Sequence, residues 1–86
     1  MNIYLLEDNI ISALYIKTAL HRSNHVVVEH SRTFEEARYF FSNINHEIDV
    51  AILDVMLDNG KTGLDVAEII NEKFDKSIPI FFMTGL

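Results

Sequence analysis

Four short runs of dense apolar character punctuate the chain: Met1–Leu6 (MNIYLL), His25–His30 (HVVVEH), Asp49–Asp54 (DVAILD) and Pro79–Thr84 (PIFFMT). Runs of this length, rich in β-branched and aromatic residues, predict strands, and the four apolar residues Val50–Leu53 suit one buried on both faces, as in a parallel sheet. Pro79 stands at a strand start, where a missing N–H is tolerated. The intervening segments have helical periodicity. They predict helices from Asn9 to about Arg22, from Phe34 to about Phe41, and over Gly63–Asp75. Strand and helix alternate three times before a last strand. That order calls for an α/β parallel sheet with right-handed crossovers.

The helix boundaries carry their own signals. Asp8 or Asn9 can cap the first helix, and Ser23-Asn24 ends it. Thr33 and Glu36 have the spacing of a capping box. Asn59-Gly60 marks a turn in the loop Val55–Thr62, and Asn43–Glu47 is a polar loop. On the first helix, Ser12, Tyr15, Ile16, Ala19 and Leu20 form one stripe, with Ile10, Ala13 and Leu14 outside it. A helix that touches only a sheet needs a single stripe, so the excess implies a second neighbour. The second helix places Phe34, Ala37, Phe41 and Ile44 on one face. The third does the same with Leu64, Ala67, Ile70 and Phe74.

Carboxylates end two of the strands. Asp54 closes the third strand, and Glu7 and Asp8 follow the first. In open α/β folds this carboxyl edge is where chemistry is placed. Asp54 taken alone could equally be a turn residue or a cap. If the two strands are parallel neighbours, however, three carboxylates converge, and like charges at close range raise each other's pKa unless a cation sits among them. Hard oxygen donors, partly completed by water, suit Mg²⁺ rather than zinc.

Composition narrows the setting. Eighty-six residues make one domain, 1–86, and the net charge of −6 makes nucleic acid an unfavourable direct partner. The apolar content of 49% is enough for a packed core, and the absence of Cys excludes thiolate metal sites and disulfides. No apolar run approaches the roughly 18–20 residues of a membrane span. The start MNIYLLEDN lacks the basic region of a signal peptide. A cytoplasmic location is the expectation.

Some motif-like stretches do not survive scrutiny. Gly60-Lys61-Thr62 imitates the end of a phosphate-binding P-loop, but position 55 is Val where that motif needs Gly. Asp54, Asp58, Asn59 and Gly60 imitate a calcium loop without its alternating ligands or terminal Glu. His21, His25, His30 and His46 show no paired spacing on a helix, which points to surface or satisfied polar roles.

The remaining constellation is Glu7, Asp8, Asp54 and Thr84, each at a strand end. Here the sequence resembles the receiver domain of two-component response regulators. LLEDN (Leu5–Asn9), AILDVML (Ala51–Leu57), GLDVA (Gly63–Ala67) and PIFFMTGL (Pro79–Leu86) carry the resemblance in order and spacing. The resemblance implies a flavodoxin-like sheet of order 2-1-3-4. It implies that Asp54 accepts a phosphoryl group from a sensor histidine kinase or phosphotransfer protein. It implies that Glu7, Asp8, Asp54 and the backbone carbonyl of Met56 hold Mg²⁺, and that Thr84 senses the phosphoryl group. The domain would be a phosphoacceptor in a phosphorelay rather than an enzyme. The chemistry agrees, because a carboxylate attacks an anionic donor poorly until charge is neutralised, and phosphoryl transfer is mostly positioning and charge stabilisation.

The sequence also departs from the family. Asp58 stands where the family often has Pro, and the loop from Asp54 to Gly63 is slightly long. The family continues past the fourth strand with a helix, a fifth strand carrying a Lys and an aromatic switch residue, and a last helix, for which this sequence has no counterpart. The expectation is an incomplete receiver domain, either a shortened piece or a naturally short relative, in which phosphoryl transfer is slow. An alternative is a receiver-like module that no longer signals and works by binding or dimerising. A Mg²⁺-dependent phosphatase fits less well, because such enzymes usually carry a second Asp where this chain has Met56. The fourth strand and the surplus apolar residues of the first helix lead to a further expectation, a homo-oligomer formed through those two elements.

Overall fold

The computed structural model describes residues 1–43, 47–57 and 60–84. Its elements are β1 (Asn2–Leu6), α1 (Ile10–Arg22), β2 (Val26–Ser31), α2 (Phe34–Ser42), β3 (Val50–Asp54), α3 (Gly63–Lys73) and β4 (Ile80–Met83). All four strands are parallel, in the order β2-β1-β3-β4. Each element falls within a residue or two of its expected bounds. Ile44 on the second helix face, His46, Asp58, Asn59 of the expected turn, and Gly85-Leu86 lie outside the described residues.

Period-2 alternation divides the central strands between two layers. Tyr4, Leu6, Ala51 and Leu53 join Ala37 and Phe41 of α2 and Val66, Ala67 and Ile70 of α3 in one buried cluster. Tyr4 stacks on Phe40 and meets Phe41 at a tilt, and Phe40 meets Phe41 edge to face, with centroids 4.6 to 5.5 Å apart. The Tyr4 and Ser31 hydroxyls are also buried, next to one another. Ile3 and Leu5 are buried as well, and alternation turns them to the opposite layer, where Ala13 is the buried residue of α1.

Cover thins toward β4 on both layers. Register aligns Leu5, Ile52 and Phe81, and in the other layer Leu6, Leu53 and Phe82. Leu5, Leu6 and Leu53 are fully buried, whereas Phe81 is 61% and Phe82 44% exposed. Among the described residues β4 is an edge strand, paired only to β3.

Helix ends behave largely as read. Asn9 caps α1, its side chain accepting from the Ser12 N–H at 2.9 Å. Thr33 accepts from the Glu36 N–H at 3.1 Å. The reciprocal half of that box is displaced by one residue, because the Glu36 carboxylate takes the Arg32 N–H instead. A complete box occurs at α3, where Asp65 accepts from the Thr62 N–H at 2.7 Å and Thr62 caps in return.

Two helix faces differ from expectation. On α1 the inner side consists of buried Ala13 with half-buried Ile16 and Leu20, while Ser12, Tyr15 and Ala19 are exposed and Tyr15 is 80% so. Apolar residues nearly encircle this helix, so its pattern does not fix a phase, and the small Ala13 sits where the helix comes close to the sheet. On α3 Leu64 is exposed and Val66 takes its inward place. Leu64 lies in the first turn beside the cap, rotated away from Ala67 and Ile70.

Candidate functional site

Parallel pairing of β1 with β3 sets Leu6 beside Leu53. The next residues along each strand are Glu7 and Asp54, so both carboxylates emerge side by side at the carboxyl edge. Glu7 is 7% and Asp54 6% exposed, and Asp8 is half-buried. One carboxylate oxygen from each of Glu7, Asp8 and Asp54 lies within 4.8 Å of the others.

Backbone donors steady the cluster. Asp54 Oδ1 accepts from the Met56 N–H at 3.1 Å. Glu7 Oε2 accepts from the Asn9 N–H at 3.1 Å, which ties the acid to the start of α1. Burial pushes the Glu7 carboxyl up to about 7. The Asn9 N–H opposes that shift, while contact with Asp8 and Asp54 and the Asp54 charge add to it. A buried acid held up in this way by neighbouring acids is relieved by a cation at the same point. Three hard oxygen donors in reach of one another fit Mg²⁺, which completes its shell with water.

Gly63 shapes the floor of the site. Its N–H donates to the Val55 carbonyl at 2.8 Å. A Cβ built there would lie 2.2 Å from the Asp54 carbonyl oxygen, so only glycine permits this approach of α3 to the end of β3. An antiparallel bridge between Met56 and Thr62 closes the loop above it.

Thr84 is exposed just past β4. It lines an open cleft of about 340 Å³ together with Glu7, Ile11, Ser12, Tyr15, Ile16 and Met83. The expected site residues therefore gather along one edge of the sheet, with Thr84 across the cleft from Glu7. Sequence reading missed the outer supports. His30 Nε2 lies 2.8 Å from the Glu7 carbonyl oxygen, and Arg32 reaches the Asp8 carbonyl. Their position at the end of the neighbouring strand was the available signal. No helix among the described residues is long and apolar enough to cross a membrane.

No protein-family profile matches the sequence, and no curated protein does. Solved structures do. The N-terminal domain of a response regulator/sensory box/GGDEF three-domain protein from Carboxydothermus hydrogenoformans superposes with a TM-score of 0.85 at 26% identity, over 100% of this chain and 66% of that one. The non-phosphorylated HemR receiver domain from Leptospira biflexa gives 0.81 at 30% identity, over 96% and 63%. The response regulator PhyR from Brucella abortus gives 0.80 at 26%, over 94% and 32%. The chain thus spans between about a third and two thirds of the length of these structures.

Two outcomes are expected of the site. Gly63→Ala forces the Asp54 backbone to move and lowers stability by about 1–3 kcal/mol, as overpacking does; urea denaturation measures it, with the Asp54 and Met56 amide resonances shifting. The second concerns pH. Glu7 is raised in the folded state above its ordinary value, so its contribution to stability is complete below the unfolded pKa and is lost as pH rises through about 7. Without divalent metal, denaturation midpoints of Glu7→Gln should fall less between pH 4.5 and 8 than those of the parent chain; parallel profiles refute this.

Proposed function

The chain is a response-regulator receiver domain in its fold, and on that premise we propose that it is a phosphoacceptor module of a two-component phosphorelay, modified on Asp54. The convergence of Glu7, Asp8 and Asp54 at the ends of β1 and β3 carries the reading. In the proposed step an oxygen of the Asp54 carboxylate attacks phosphorus. The bond from phosphorus to the donor atom breaks, the donor leaves with the electron pair, and an acyl phosphate forms on Asp54. The donor is a phosphohistidine of a sensor kinase or phosphotransfer protein.

Glu7, Asp8, Asp54 and the Met56 carbonyl would hold Mg²⁺, which supplies charge neutralisation for the incoming phosphoryl group. The Met56 N–H holds Asp54 Oδ1 and so fixes the carboxylate plane. Thr84, across the cleft from Glu7, offers a hydroxyl to the phosphoryl oxygens. On this reading the chain acts as a signalling domain in the cytoplasm.

Treatment with acetyl phosphate and Mg²⁺ followed by intact mass analysis tests this. A phosphoryl adduct is expected on the parent chain and none on Asp54→Asn. An adduct that survives Asp54→Asn refutes the assignment. Thr84→Ala should bind Mg²⁺ as the parent does while phosphorylation no longer shifts amides outside the site. Lost metal binding in Thr84→Ala would remove the role given to Thr84.

Exposed apolar side chains favour a second property, self-association through β4 and α1. Ile11 (71%), Leu14 (61%) and Tyr15 (80%) on α1 and Phe81 (61%) on β4 are open to solvent. Covering one such side chain is worth roughly 1.5–3 kcal/mol, and an unpaired edge strand invites another strand. Light scattering across a concentration series should show a dimer that Phe81→Lys dissociates. A monomer at every concentration would exclude it.

A further inference from the structure

The main chain of the acidic pair is gripped from the β2 side. The Glu7 N–H donates to the Ser31 carbonyl at 3.0 Å. His30 Nε2 lies 2.8 Å from the Glu7 carbonyl oxygen. A carbonyl only accepts, so this nitrogen carries the hydrogen in that contact. Arg32 spans the next carbonyl, with Nε and Nη2 at 3.4 and 3.3 Å from the Asp8 oxygen. Arg32 is itself anchored, since its N–H donates to Glu36 Oε1 at 3.0 Å in the first turn of α2. Three polar groups of the Glu7–Asp8 backbone are therefore engaged by Ser31, His30 and Arg32. Neither His30 nor Arg32 is among the three carboxylates of the cluster.

We propose that His30 and Arg32 are positioning residues: by pinning the Glu7 and Asp8 carbonyls they hold the two acidic side chains converged on Asp54, ready for a divalent cation. The inference rests on the cation-site reading above. Removing an outer partner that hydrogen-bonds and orients a metal ligand typically weakens metal binding by roughly 10–100-fold. For Arg32 two roles oppose each other in sign. As a nearby positive charge it repels a cation, so its removal would tighten binding. As a clamp it organises the donors, so its removal loosens binding. The geometry favours the clamp, because the guanidinium lies on a neutral carbonyl and no bond from it to a carboxylate of the cluster is formed.

The test uses the whole chain. Mg²⁺ is titrated at fixed ionic strength and followed at the Asp8 and Asp54 amides, and hydrogen exchange of the Asn9 amide, which donates to Glu7 Oε2, is measured without metal. His30→Ala and Arg32→Ala should each weaken Mg²⁺ binding about tenfold and speed Asn9 exchange. His30→Gln, which restores an N–H donor, and Arg32→Lys should recover most of both. Mg²⁺ binding as tight as the parent's, or tighter, in a folded Ala variant overturns the proposal. If the parent itself binds no Mg²⁺, the cation reading falls, and unchanged Asn9 exchange in the variants then overturns the positioning role separately. Should His30→Ala fail to fold, the Arg32 pair and His30→Gln decide the matter.

Discussion

The register of β1 against β3 is the constraint on which the rest depends. Leu6 lies opposite Leu53, and the residue after each is an acid, Glu7 and Asp54. A slip of one residue would turn the apolar set of the strand to the wrong layer. The same slip would separate Glu7 from Asp54. The core and the site are thus fixed by a single alignment: the packing of Tyr4, Leu6, Ala51 and Leu53 against α2 and α3 is what holds the carboxylates together against their mutual repulsion.

That repulsion shows in Glu7, whose carboxyl is raised by burial and by its acidic neighbours. Burying like charges side by side costs stability at this point. The compensations come mostly from the main chain. Asn9 and Met56 donate N–H groups to Glu7 and Asp54, while His30 and Arg32 engage the carbonyls behind them. Gly63 brings α3 close enough to the Asp54 carbonyl that no side chain would fit. None of these contacts pairs a cationic side chain with a carboxylate of the cluster.

Away from the site, burial declines across the sheet from β1 to β4. Phe81 and Phe82 share rows with fully buried leucines yet remain largely exposed. The exposed side of α1 faces the same open cleft that Thr84 and Glu7 line. An interaction made on this surface would therefore border the acidic cluster, which links association to the site by proximity alone.

Much of this was determined by the sequence. Apolar runs bounded by carboxylates, the Thr33 and Asn9 caps, and the strand–helix alternation are local signals, and local signals locate elements and the residues at their ends. The resemblance carried by LLEDN, AILDVML and GLDVA reached the sheet order as well. What the sequence left open depended on contacts between elements. The phase of α1 could not be read because apolar residues surround it, and only packing on the sheet selected Ala13 over Tyr15. Leu64 satisfied the spacing of an inward face but fell in a first turn aimed elsewhere. His30 and Arg32 looked like ordinary polar residues until β2 was laid beside β1. Gly63 read as a helix start, and only the tertiary approach of α3 to Asp54 showed why nothing larger can stand there.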